Sequence, residues 1–233
     1  MTASASADEA SHGPQHHPYF PPAVVIPHYI PSTTPLLEIL APFAALAALA
    51  IIPAVVFARR HTSRAIDQFA AGWFALCAFL HICFEGYYIV NRTNIAGLNT
   101  LFAQLWKEYT LSDSRYLTLD VFTVCVETIT VLVWGPLSLL AALAIVSRRH
   151  ALRHTCQIIV CVAHLYGVAL YYLTNWAEGV SYSRPEVLYF WVYYVGFNAP
   201  WATVPLWLLW DSFTEISRAF AVLHEVGERA KRR

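Results

Sequence analysis

Five runs of about 20 mainly apolar residues, each long enough at about 1.5 Å per residue to cross a hydrocarbon core of about 30 Å, constrain this chain more than any other feature. They occupy positions 36–57, 69–90, 121–146, 155–173 and 187–210. The bilayer offers backbone groups no water, and none of the runs alternates apolar and polar residues as a barrel strand does, so each is expected to be a helix. The charged fraction agrees: 13% against about 25% in an ordinary soluble domain. The expected fold class is therefore an all-α integral membrane protein, a bundle of five transmembrane helices over residues 35–215. A polar N-terminal tail (1–34) precedes it and a basic C-terminal tail (216–233) follows. Pro42, Pro53, Pro136, Pro200 and Pro205 fall inside the runs, where they predict local kinks.

Charge and motif content exclude several classes. Fifteen basic and fifteen acidic residues balance, so there is no nucleic-acid footprint. No internal repeat, Gly-rich phosphate loop or CxxC pair is present. The five cysteines are odd in number and sit in apolar runs, which reads as small buried hydrophobes rather than a disulfide scaffold. The first 34 residues carry no Lys or Arg, so they lack the basic start of a cleavable signal and are expected to stay on the mature protein.

Basic residues cluster after the first run (Arg59, Arg60, Arg64), the third (Arg148, Arg149, Arg153) and the fifth (Arg218, Arg229, Lys231, Arg232, Arg233). The positive-inside rule assigns those segments to the cytosol. The N-terminus, residues 91–120 and residues 174–186 are then lumenal. Residues 99–120 mix aromatic and charged side chains, as expected of a short amphipathic helix that lies on the membrane or caps the bundle mouth. The sequon at Asn91 stands hard against the end of a run and is expected to be unused.

Ionisable groups in a membrane are expensive and are functional candidates by default. Within the runs these are His81, Glu85, Glu127 and His164. His81 and Glu85 are four residues apart, on one helix face. Glu127 shares a face with Thr130 and Trp134, and Asn198 shares one with Tyr194 and Trp201. By helical rise, Glu85 lies about 8 Å and Glu127 about 10 Å lumenal of the centres of their runs, while His81, Asn198 and His164 lie near the midplane. A His with a Glu one turn away also fits a structural ion pair, and His164 reads first as a helix contact. The second glutamate on a separate helix favours a proton site or transport path.

Read in order, HPYF (17–20), HICFEGYYIV (81–90), LWKEYTLSDSRY (105–116), FTVCVETITVLVWGPLSL (122–139), LYG (165–167), LYYLT (170–174) and YFWVYYVGFNAPW (189–201) resemble the emopamil-binding protein family of sterol isomerases. The resemblance implies a five-helix bundle of the endoplasmic reticulum membrane with a sterol-sized cavity, usually a homodimer. It implies a 3-beta-hydroxysteroid Δ8,Δ7-isomerase that protonates C9 and deprotonates C7 through a carbocation at C8. Carried over residue by residue, it assigns His81, Glu85, Glu127, Thr130, Asn198 and Trp201 to the active site and brings Trp106, Asp113 and Tyr116 near the cavity. Glu127 is then the expected donor, Glu85 with His81 the acceptor and relay, and Trp201 the cation-facing ring. Thr130 and Asn198 are expected to hydrogen-bond the carboxyls. A double-bond shift implies no cofactor and no metal; a sterol substrate, membrane lipid and hydrophobic cationic amines as inhibitors are the implied partners. Pro200, Val126, Val168 and His164 depart from the family pattern and bear on substrate fit. Two alternatives stay open: the same chemistry on a specialised terpenoid, and a non-catalytic sterol- or amine-binding protein.

Overall fold

The computed structural model describes residues 16–179 and 181–232; residues 1–15 of the expected tail, and Arg233, lie outside them. Every regular element among the described residues is helical. The main ones are α1 (Leu36–His61), α2 (Ala65–Asn91), α3 (Leu101–Tyr109), α4 (Val121–Val146), α5 (His150–Glu178) and α6 (Pro200–Lys231). Four of them, α1, α2, α4 and α5, are long and apolar enough to cross a membrane. Neighbours pack in the series α1, α2, α4, α5, α6.

The fifth apolar run is not one continuous helix. It comprises a π-helical segment, Leu188–Gly196, a turn at residues 197–199, and the start of α6. Pro200 stands in the first turn of α6, where its missing N–H leaves no bond unmade and its fixed φ suits a helix start. Asn198 and Trp201 therefore flank a backbone break.

Two more π-helical segments interrupt the spans: Leu80–Glu85 in α2 and Thr130–Trp134 in α4. They pack against each other. Gly135 permits this contact, since a Cβ there would lie 2.7 Å from Ile82 Cγ1 and 3.2 Å from His81 Cβ. Single π turns inside α-helices occur frequently at functional sites, and here they carry His81, Glu85 and Thr130.

One end of the bundle is capped by α3 and the 3-10 turn Ser114–Leu117. The described N-terminal residues fold over this cap. The backbone N–H groups of Thr33 and Thr34 donate to Gln104 Oε1 (3.0 and 2.9 Å), Tyr19 donates to the Lys107 carbonyl (3.2 Å), and Ser114 donates to the Phe20 carbonyl (2.6 Å). At the opposite end, buried Arg153 of α5 binds Asp67 of α2 (2.8 Å) and Asp211 of α6 (2.9 Å), while Arg64 reaches Asp211 (2.6 Å). Asn91 caps its own helix, its amide donating to the Tyr87 carbonyl (2.8 Å).

Candidate active site

Between the cap and the middle of the bundle lies a cavity of about 520 Å³, whose wall is contributed by α1 to α5 and the broken segment around residues 193–201. That volume falls within the range of about 300–1,000 Å³ usual for small-molecule sites. His81, Glu85, Glu127, Thr130, Asn198, Trp201, Trp106 and Tyr116 all line it.

Two carboxyls from different helices meet here. Glu85 is held by His81, whose Nδ1 lies 2.8 Å from Oε2 and 2.9 Å from Oε1. Because an ionised carboxylate only accepts, Nδ1 carries the proton whenever Glu85 is charged. Glu127 is 7% exposed; its Oε1 accepts from the Tyr116 hydroxyl at 2.9 Å, and Glu85 is the acid next to it. Burial, and after it the Glu127 carboxylate, push the Tyr116 phenol well above its ordinary pKa, so it remains a donor.

Aromatic rings wall the pair. Trp106 stacks on Phe84 (4.6 Å between centroids) and its indole N–H donates to the Phe84 carbonyl (3.0 Å), tying the cap to the π turn of α2. Trp106 also packs against Tyr116 (5.0 Å), and Trp201 against Trp73 (5.3 Å). The wall can hold a rigid apolar body while offering ring faces to a cation.

Three expectations need correction or refinement. Asp113 does not line the cavity. It is fully buried in the cap, where it caps Ser114–Leu117 by accepting from the Arg115 N–H (3.0 Å) and pairs with the Arg115 guanidinium (2.7 Å). Arg115 in turn lies over the rings of Tyr171 (5.0 Å) and Tyr182 (5.3 Å). Asp113 thus shapes the turn that presents Tyr116 rather than touching a ligand. Thr130 donates to the Val126 carbonyl of its own helix (2.9 Å), and Asn198 to the Tyr194 carbonyl (2.7 Å). An i−4 backbone carbonyl is the nearest acceptor for a helical hydroxyl, and it wins over the carboxyls. The partner that orients Glu127 is Tyr116.

Sequence reasoning missed several wall residues: Glu108, Tyr109, Tyr171 and Tyr193. Tyr193 donates to Glu108 (3.0 Å) at the cap side of the cavity. Helical spacing held part of the signal, since Tyr109 is three residues from Trp106, and His164, Gly167 and Tyr171 follow one face of α5. Cys77, His81 and His164 bring possible ligand atoms within 4.8 Å of one another. Both His81 nitrogens are already committed to hydrogen bonds, to Glu85 and to His164.

A helical membrane bundle with two facing carboxyls, an imidazole and an aromatic wall around a ligand-sized cavity defines a class: membrane proteins equipped to move protons on a lipid-like ligand. The family model EXPERA (EXPanded EBP superfamily) matches residues 101–212. The chain is 33% identical over 200 residues to the 3-beta-hydroxysteroid-Delta(8),Delta(7)-isomerase of Cavia porcellus, covering 84% of this chain and 87% of the relative. It is 32% identical over 221 residues to the probable enzyme of that name from Oryza sativa subsp. japonica, covering 94% and 98%. Protoglabretal synthase of Citrus sinensis is 36% identical over 142 residues, 60% of this chain and 66% of that one. The chain belongs to the emopamil-binding protein family.

Proposed function

We propose that this protein is a sterol Δ8 to Δ7 isomerase. The observation that carries the reading is the acid pair: Glu85 and Glu127, on different helices, come together in the wall of one cavity, each with its own hydrogen-bonding partner. Moving the double bond requires one proton added at C9 and one removed from C7, so the site must supply a donor and an acceptor within a single ring system. Glu127 is the donor; Tyr116 engages Oε1 and leaves Oε2 for the transferable proton. Glu85 is the acceptor, held by the His81 imidazole. Trp201 faces the C8 cation, a contact worth about 2 kcal/mol when desolvated. The same features suit hydrophobic amines, whose ammonium imitates that cation.

The protein crosses the membrane of the endoplasmic reticulum five times. The crossing over residues 187–210 is broken at 197–199, where irregular backbone is tolerated because it lines a cavity. The N-terminus is lumenal and the C-terminus, beyond residue 215, is cytosolic, so α3 caps the cavity on the lumenal side. Protease protection of terminal tags in sealed microsomes tests the orientation, and a protected C-terminal tag contradicts it.

Incubation of the purified protein with a Δ8-sterol tests the activity; the expected product is the Δ7-sterol. The Citrus sinensis relative keeps a second substrate class in view, a triterpenoid handled by the same acid pair. Val126, Val168 and Pro200 in the cavity wall are the positions where fit would differ. Conversion of a triterpenoid with no turnover of the Δ8-sterol would replace the sterol reading by that one.

A further inference from the structure

The cavity wall holds a third carboxyl that the proton transfer does not use. Glu108, on α3 of the cap, stands in it together with Glu85 and Glu127. Its Oε1 accepts from the Tyr193 hydroxyl at 3.0 Å, and Tyr193 is itself buried, at 8% exposure. Among the described residues Tyr193 is the one hydrogen-bond partner of the Glu108 side chain, and no basic side chain pairs with it. A carboxylate has about four acceptor positions on its two oxygens, so a single bond leaves most of that capacity open. Other polar side chains of the wall donate elsewhere: Thr130 and Asn198 to backbone carbonyls, Tyr116 to Glu127.

A sterol nucleus carries one polar group, the 3β-hydroxyl, at one end of a rigid apolar body. The reacting carbons C7, C8 and C9 belong to ring B, so only ring A separates them from that end, while two further rings and the side chain extend the other way. The acid pair lies against the cap: Tyr116 of the cap holds Glu127, and Trp106 of the cap bonds the π turn that carries Glu85. The short end of the substrate then turns to the cap side, where Glu108 and Tyr193 stand, and the long end runs toward Leu80 and Trp134 nearer the middle of the bundle. A hydroxyl buried there without a partner would be costly. We infer that the Glu108 carboxyl accepts the hydrogen of the substrate's 3β-hydroxyl and so sets which carbons reach the acid pair; this rests on the isomerase reading. Tyr193 holds the carboxyl in place through Oε1.

A purely structural tie between Glu108 and Tyr193 would serve every substrate alike, and this separates the two roles. The purified full-length protein in micelles is given a Δ8-sterol or its 3-deoxy analogue, the same ring system without the hydroxyl, and the Δ7 product is read by gas chromatography. In the parent, kcat/KM for the alcohol should exceed that for the deoxy compound about 10- to 100-fold, the worth of a hydrogen bond to a charged group. Glu108→Leu removes both acceptor oxygens, and the ratio should fall to unity or below, with the alcohol's loss lying mainly in KM. Glu108→Gln keeps one oxygen for two donors and should give an intermediate ratio. Tyr193→Phe breaks the same tie but keeps the carboxyl, so its ratio should stay within a few-fold of the parent's; a collapse there would assign the effect to the tie and overturn the anchor. A parent ratio near unity also overturns it, as does a parent-level ratio in Glu108→Leu or, should that variant not fold, in Glu108→Gln. A parent that makes no Δ7 product from the alcohol fails earlier and removes the isomerase reading along with the anchor.

Discussion

Tyr116 donates its hydroxyl hydrogen to Glu127 Oε1 at 2.9 Å, across the junction between the cap and α4. The bond links a residue of the cap to an acid of α4, so the shape of the cap sets how that acid is held. Hydrogen bonds to charged groups contribute about 1.5–3 kcal/mol. Tyr116→Phe should therefore lower turnover roughly 10- to 100-fold with the fold intact. Since burial and Glu127 raise the phenol's pKa, Tyr116 remains protonated through neutral and mildly alkaline pH, and the deficit should be constant from pH 6 to pH 9. A deficit that disappears at one end of that range would show that Tyr116 acts by titrating rather than by orienting.

Glu85→Gln and Glu127→Gln each replace an ionisable intramembrane group by a neutral one of like size, which does not raise the cost of insertion, and both should express and insert normally. Turnover should fall about 100- to 10,000-fold, the usual contribution of a proton-transfer group. Single-turnover assays on inserted protein measure this. Full activity in both would make the pair structural.

Trp201→Ala should weaken a hydrophobic cationic amine by up to about 2 kcal/mol, roughly 30-fold, while a neutral isostere of the amine loses less. Competition binding with the two ligands reads the difference. Equal losses would mean that Trp201 contributes apolar contact alone.

The ion cluster remote from the cavity should matter for stability only. Asp211 bonds buried Arg153 and Arg64, joining three helices at that end. Breaking a buried pair costs about 3–5 kcal/mol, and Asp67 remains to Arg153, so Asp211→Ala should sit near the lower end of that range. Denaturation in mixed micelles gives the loss; turnover per folded molecule should match the parent.

Lys107 supplies a pH signature. It is 2% exposed, donates to the Ile30 carbonyl (2.9 Å) and Asn99 (2.6 Å), and burial lowers its pKa from 10.5 to about 8. The unfolded chain then binds more protons than the folded one between those values, so stability should rise as pH goes from about 8 to about 10.5. The total is of the order of 3 kcal/mol. Lys107→Met should remove that slope in melting temperature against pH; an unchanged slope would assign it to another group.

Much of the site was legible before any coordinates. Glu127 and the His81–Glu85 pair stood out because lipid penalises such groups, and Thr130, Asn198 and Trp201 followed from helical spacing. Trp106 and Tyr116 came by resemblance alone, since an aromatic in a polar loop gives no local signal of facing a cavity. Asp113 came the same way, and the structure assigns it to the loop rather than to the cavity.

Apolar run length and the bilayer's intolerance of unpaired backbone groups determined, from sequence alone, that this chain is a helical membrane protein with acids and imidazoles inside it. Those are properties of consecutive residues, and a 3.6-residue period expresses them. Tertiary structure alone decided that Tyr116 orients Glu127, that His164 reaches His81, that α2 and α4 meet through π turns at Gly135, and that the last apolar run breaks at residues 197–199. Each depends on how closely two separate helices or loops approach, and that distance is set by side-chain volumes packed across the interface, which no local pattern encodes.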